Sequence, residues 1–257
     1  MLSFHELTRG LRQLGIEPNC PVIAHASLSA FEQVSGGAET LLGALLTCFT
    51  SVIMPTFTYK TMITPESGPP NNGIRYGSER DQNRMAEFYT PNMPADPSMG
   101  VIAETLRQHP NASRSMHPIL SFSGVNAGTA LQAQTLSQPL QPIHVLAGLG
   151  GWVLLLGVDH TSNTSIHYGE RVAGRKQFIR WALTPNGIIE CPGWPGCSDG
   201  FQAIAPHLEA VRRTAQAGSG LIQAFPLVEV VEAVIQAIAD DSHALLCNRP
   251  NCGRCNS

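Results

Sequence analysis

Residues 21–58, PVIAHASLSAFEQVSGGAETLLGALLTCFTSVIMPTFT, decide the fold. Two short blocks rich in β-formers, PVIAHASL and SVIMPTFT, bracket a stretch where Leu41, Leu42, Leu45, Leu46 and Phe49 recur at helical spacing. A Ser-Gly-Gly run at 35–37 precedes that stretch and marks a helix start. A strand–helix–strand unit with near-continuously apolar strands predicts parallel strands covered on both faces. The class that follows is α/β: a mixed, largely parallel central sheet with helices on both faces.

Outward from this unit the chain alternates similarly, with one interruption. Residues 60–97 are dense in Pro, Gly and Asn, as in TPESGPPNNG and YTPNMPADPS, and lack periodicity. A segment this long and irregular inside a domain reads as an inserted substrate lid. SMGVIAETLRQH then predicts a short helix stopped by Pro110, and ILSFSGV predicts a strand. WVLLLGV predicts a second buried strand, followed by a helix from near Thr164. QFIRWALTPNGIIEC predicts a hairpin turning at Pro185, Asn186 and Gly187. FQAIAPHLEAVRRTAQAG and PLVEVVEAVIQAIADD predict two late helices. With no internal repeat, residues 1–257 read as one domain.

Composition narrows the function classes. At 43% hydrophobic and 14% charged residues the chain is globular rather than disordered. A net charge of −3 offers no basic stripe for nucleic acid or an anionic membrane, so neither is an expected partner. No apolar run approaches the ~20 residues that span a bilayer. The opening MLSFHELTRG lacks the basic-then-apolar pattern of a secretory signal. A cytoplasmic enzyme is the expectation, and its seven cysteines read as thiols or metal ligands.

In an open α/β sheet, ligands collect at the carboxyl ends of the strands. Three polar clusters with a histidine flank predicted strands: AHASLS at His25, SRSMHP at His117, and DHTSNTSIH at His160 and His167. His167 falls one turn into a helix that Asn163 or Thr164 can cap. A helix N-terminus opposes imidazolium, which leaves the ring able to accept a proton. Glu170, three residues on, shares the helix face and can hold one ring nitrogen while the other serves as base. A surface histidine with an ordinary neighbour would look the same. His25, Ser27 and Ser29 alternate after the buried VIA, and hydroxyls with N–H groups at a strand end suit phosphates as well as routine capping. Ser113, Arg114, Ser115 and His117 make a compact loop with one cation, suited to a phosphate or to a solvated turn. A metal-dependent hydrolase built on His25, His117, His160 and His167 competes, although these histidines show no HExxH or other tight ligand spacing.

The tail LLCNRPNCGRCNS places Cys247, Cys252 and Cys255 as C-x4-C-x2-C. With one more thiolate this is a structural zinc pattern. Cys197 is the fourth ligand of choice, because Cys191 belongs to the hairpin strand. Reduced thiols on a frayed tail are the other reading.

Taken in order, VIAHASLSAF with GGAETLLGALL, MPTFT, PSMGVIAETLRQHP, RSMHPILSFSGVNA and LLLGVDHTSNTSIHYGE resemble the aminoglycoside N3-acetyltransferase family, also called antibiotic N-acetyltransferases. The resemblance runs over roughly residues 20–175. It implies acetyl transfer from acetyl-coenzyme A to the 3-amino group of a cationic aminoglycoside, on a mixed α/β fold with an inserted substrate-binding part. By the same resemblance His167 is the catalytic base, and Ser27, Leu28, Ser29, Arg114, Ser115 and His117 line the coenzyme A channel with His25. Backbone N–H groups at Thr164 and Ser165 would steady the developing oxyanion. Drug-modifying members carry acidic residues in the inserted loop and after the hairpin. Here the loop holds Glu66, Glu79, Asp81, Glu87 and Asp96, and the later segment holds only Asp199. Asp81, Glu87, Asp96 and Asp199 are the substrate contacts this implies. Another small amine as acceptor, or a non-catalytic coenzyme A- or drug-binding protein on the same fold, stays open.

Overall fold

The computed structural model describes residues 1–31, 33–78 and 80–256, so Glu79 lies outside the described residues. Helix α1 (Phe4–Gln13) opens the chain. Ser3 and Glu6 close a reciprocal capping box there, a Ser-x-x-Glu signal the sequence reading passed over. The strand–helix–strand unit follows as β1 (Val22–Ala26), α2 (Gly37–Cys48) and β2 (Val52–Pro55). β1 and β2 run parallel, with Val22 opposite Val52, and every residue of both is buried. Gly36, the N-cap of α2, sits at φ 79°, where a Cβ would strike the Thr40 side chain.

The insertion carries β3 (Met62–Ile63) and α3 (Arg80–Arg84). Beyond it come α4 (Val101–Gln108), β4 (Ala112–Arg114), β5 (Phe122–Val125), α5 (Gly128–Gln132), α6 (Gln141–Gly148), β6 (Trp152–Leu156) and α7 (Thr164–Val172). β7 (Phe178–Thr184) and β8 (Gly187–Trp194) form the expected hairpin, with Thr184 opposite Gly187. The chain ends through α8 (Ala205–Leu208), β9 (Arg213–Ala217), β10 (Gly220–Pro226) and α9 (Leu227–Asp240).

The main sheet has the order β4-β5-β2-β1-β6-β10-β9, and a smaller one the order β3-β7-β8. The mixed α/β class holds, with parallel pairing confined to β2, β1 and β6 and antiparallel strands on either flank. Neighbours along each strand point to opposite faces. Val22, Ala24, Met54, Leu154 and Leu156 meet α1, α2 and α4, whereas Ile23, Ile53, Val153, Leu155 and Phe225 meet α5, α6, α7 and α9.

One predicted helix is overturned. Residues 201–218 form only short helical turns and then β9, which pairs antiparallel with β10. Ala215 and Ala217 are buried between exposed Thr214 and Gln216, which is a strand period that the apolar count conceals. The insertion docks on the smaller sheet: Met62 pairs with Ala182, and the Asn72 side chain exchanges hydrogen bonds of 2.9 and 2.8 Å with the Ile179 backbone. No described helix is long and apolar enough to cross a membrane.

Candidate active site

A cleft of about 950 Å³ opens where β1, β2 and β6 end, and the Ser27–Ser29 turn, residues 161–164, His167, Trp194, Asp199 and Arg254 contribute to its lining. Gly157, just past β6, has φ 67°, and a Cβ there would collide with the Ala30 side chain beside the Ser27 carbonyl. That close approach brings the two strand ends together.

His167 is delivered by the first turn of α7. Asn163 caps the helix, its Oδ1 accepting the Ser165 N–H at 3.1 Å. The His167 side chain is 12% exposed, and its Nδ1 lies 3.0 Å from Oε2 of Glu170. Glu170 is 2% exposed, and its other oxygen accepts from Arg175 Nη1 at 2.8 Å. A carboxylate only accepts, so the neutral ring in this contact carries its hydrogen on Nδ1 and presents its lone pair at Nε2. Phe201 meets the ring edge-on at 4.6 Å. The arrangement can accept a proton at one defined atom.

The other strand-end histidines are buried. His25 lines the cleft, and burial pushes it down to about 3. His117 accepts the N–H groups of Ile119 and Leu120 at Nδ1, and burial holds it at about 4. His160 lies against Phe225 at 4.8 Å and is likewise held at about 4. Among the described residues these four histidines form no group able to hold a metal, which removes the basis for the hydrolase reading.

Of the residues proposed from sequence, His25, Ser27, Leu28, Ser29, Thr164, His167 and Asp199 line the cleft. The Ser27 and Ser29 hydroxyls are 3.0 Å apart. Ser115, His117, Arg114 and Ser165 do not line it. Arg114 donates to Ser121, to the carbonyls of Pro91 and Met93, and to Thr56 O at 2.6 Å, which fastens the end of the insertion to β4. Ser115 is spent on the backbone of Phe122, since an antiparallel β4–β5 pair turns its polar side chains to local use. Ser165 is fully buried, and its N–H belongs to the Asn163 cap, so it is not free for an oxyanion.

The described acidic residues of the insertion also lie off the cleft lining. Asp81 is exposed beside Arg84, Glu87 pairs with Lys60 at 3.1 Å, and Asp96 accepts from Ser98 in a local cap. Asp199 lines the cleft but is paired to Arg249. Sequence reasoning missed Tyr59, Trp194 and Arg254 as cleft residues, and Arg175 behind Glu170. Tyr59 packs edge-on against Trp194 at 5.7 Å, and burial raises its hydroxyl, keeping it a neutral donor.

Cys197, Cys247, Cys252 and Cys255 bring their sulfurs within 4.8 Å of one another. Cys191 stays in β8, 1% exposed, and burial pushes its thiol up to about 12. Arg249 donates to Cys197 Sγ at 3.6 Å, and Arg254 to the Gly196 carbonyl at 2.9 Å, so the tail lies on the segment after β8.

A family model described as aminoglycoside 3-N-acetyltransferase matches residues 23–239. Aminoglycoside N(3)-acetyltransferase III of Serratia marcescens is 30% identical over 229 residues, covering 80% of this chain and 84% of its own length. The YokD protein from Bacillus subtilis superposes with a TM-score of 0.80 at 25% identity, covering 93% of this chain and 94% of that one. The structure of AAC-IIIb in a binary complex with CoASH shares the fold, with a TM-score of 0.74 at 20% identity, covering 93% of this chain and 96% of that one. With the family model spanning most of the sheet and the cleft-bearing segments, this chain belongs to the aminoglycoside 3-N-acetyltransferase family.

Proposed function

We propose that the chain transfers an acetyl group from acetyl-coenzyme A to the 3-amino group of an aminoglycoside, with His167 as general base. The observation that carries this reading is a cleft-lining imidazole whose Nδ1 is held by a buried carboxylate, leaving Nε2 to take a proton. The amine nitrogen attacks the thioester carbonyl carbon while Nε2 removes its proton. The tetrahedral intermediate then collapses, the C–S bond breaks, and the imidazolium returns the proton to the departing sulfur. The products are the N-acetylated amine and free coenzyme A thiol. A positioned neutral histidine supplies about 10²–10⁴-fold to such a step. Thr164 lines the cleft at the positive end of α7, where negative charge on the carbonyl oxygen is favoured. His25 and the Ser27–Leu28–Ser29 turn are the proposed coenzyme A contacts, supported by their place on the cleft and by family membership.

A second reading, acetylation of a less cationic amine, draws on one specific observation. Asp81, Glu87 and Asp96 are absent from the lining, Asp199 is paired, and Arg254 adds a cation to the cleft. A free-thiol assay with acetyl-coenzyme A and two amine panels, aminoglycosides and singly charged amines, separates the two. Thiol release with aminoglycosides is expected; release only with the second panel would move the acceptor assignment, and release with neither would remove the transferase.

The four cysteines fit zinc by donor chemistry, because four soft sulfur donors in one cluster match its tetrahedral preference. Cys197, Cys247, Cys252 and Cys255 would hold the ion, and its contribution there is structural cross-linking of the tail. Elemental analysis of gently purified protein should find one zinc per chain, and protein with none would remove the proposal.

A further inference from the structure

Arg175 lies in the loop after α7, outside the cleft lining, and its guanidinium is shared between two tasks. Nη1 donates to Glu170 Oε1 at 2.8 Å, while Nη2 donates to the carbonyls of Ser242 and Ala244 at 3.0 and 2.8 Å. The Arg175 backbone N–H also returns to the Glu170 carbonyl at 2.9 Å, fixing the loop against the helix. From this geometry we infer that Arg175 is a positioning residue for the catalytic base, acting through Glu170. The inference rests on the reading of His167 as that base.

The physical reason lies in the burial of Glu170. At 2% exposure its carboxylate has two partners, the neutral His167 ring on one oxygen and the cationic Arg175 guanidinium on the other. A carboxylate so enclosed keeps its charge only where a cation compensates it. Without Arg175, Glu170 takes a proton or swings toward water, and in either case it ceases to be the fixed acceptor for His167 Nδ1–H. The ring then loses its single tautomer, and the proton-accepting lone pair spends part of its time on the wrong nitrogen. Arginine suits the position because its planar fork reaches the carboxylate with one nitrogen and two carbonyls with another. A lysine ammonium restores the charge at one point but cannot span the same set of acceptors. The two carbonyls lie just beyond α9, so the end of the chain's last helix holds the base in register.

The test combines a nitrogen spectrum with a kinetic cycle. In ¹⁵N-histidine-labelled wild-type protein, His167 should give the pattern of an Nδ1-protonated ring, and Arg175→Gln should give mixed tautomers. In the same variant kcat should fall about 10- to 100-fold, the range for removing an outer partner of a functional histidine, with KM for acetyl-coenzyme A within about twofold. Coenzyme A binding and thermal melting report folding. The double variant Glu170→Gln with Arg175→Gln should be no slower than Glu170→Gln alone, because both act on one contact. A residue serving only stability would multiply the two losses. Arg175→Lys should recover most, but not all, of kcat, and it carries the test if the glutamine variant does not fold: full wild-type kcat there would overturn the role given to the fork. An unchanged His167 nitrogen pattern in Arg175→Gln, or multiplicative losses, would overturn the inference. If the wild type releases no thiol with any amine, the transferase reading fails, and the nitrogen pattern still decides the role of Arg175.

Discussion

His25, His117 and His160 are each less than a tenth exposed, and burial pushes them down to about 3, 4 and 4. Unfolded, such rings titrate near 6.5. Between that value and about 4 the unfolded chain binds more protons than the folded one, so stability is full above pH 6.5 and is lost as the pH falls. Each unit is worth about 1.4 kcal/mol, which puts the combined loss, once all three rings are protonated, on the order of 10 kcal/mol. Thermal melting should fall between pH 6.5 and 4, and His160→Gln should fall less steeply than wild type. Parallel wild-type and variant curves would contradict the role given to His160. The His167–Glu170 pair was legible from its i,i+3 spacing, since that relation is local to one helix. Arg175 was not, because its partners at 242 and 244 lie far along the chain and no pattern in the intervening residues announces the return.

At the scale of elements, α7 carries the proposed base and its cap holds α7. Asn163 is 1% exposed and bonds both the Ser165 N–H and, at 3.4 Å, the His160 ring. Asn163→Ala should cost about 1 kcal/mol of stability, the usual value of such a cap. The loss frays the turn that presents Thr164 and His167, so kcat should fall together with the melting temperature. Melting unchanged in Asn163→Ala would show that the cap contributes nothing. The strand before this turn, the turn itself and the β7–β8 hairpin were all readable, being set by local apolar runs and turn residues. β9 was not, because the apolar residues of 201–211 sit in helical turns and only two alanines mark the strand that follows. The polar run around Arg114 misled for a different reason: phosphate ligands and carbonyl staples use the same residue types, and only the fold says which is present.

Across the whole molecule, two apolar cores clamp one mixed sheet, and their strands end at a single cleft. That much follows from buried strands alternating with amphipathic helices, which is why the class was legible. What joins distant segments was less so. The insertion docks through Asn72 and Arg114, and the cysteine tail reaches the segment after β8, placing Arg254 on the cleft wall. The cysteine set itself was readable from spacing, whereas its consequence for the cleft depends on where the chain returns. The proposed chemistry centres on one imidazole in that cleft, and the most direct test compares wild type with His167→Ala in a thiol-release assay alongside coenzyme A binding by calorimetry. Binding should stay within about twofold, and turnover should fall by about 10²–10⁴, the contribution of a general base. Turnover near the wild-type rate in protein that still binds coenzyme A would contradict the assignment of His167.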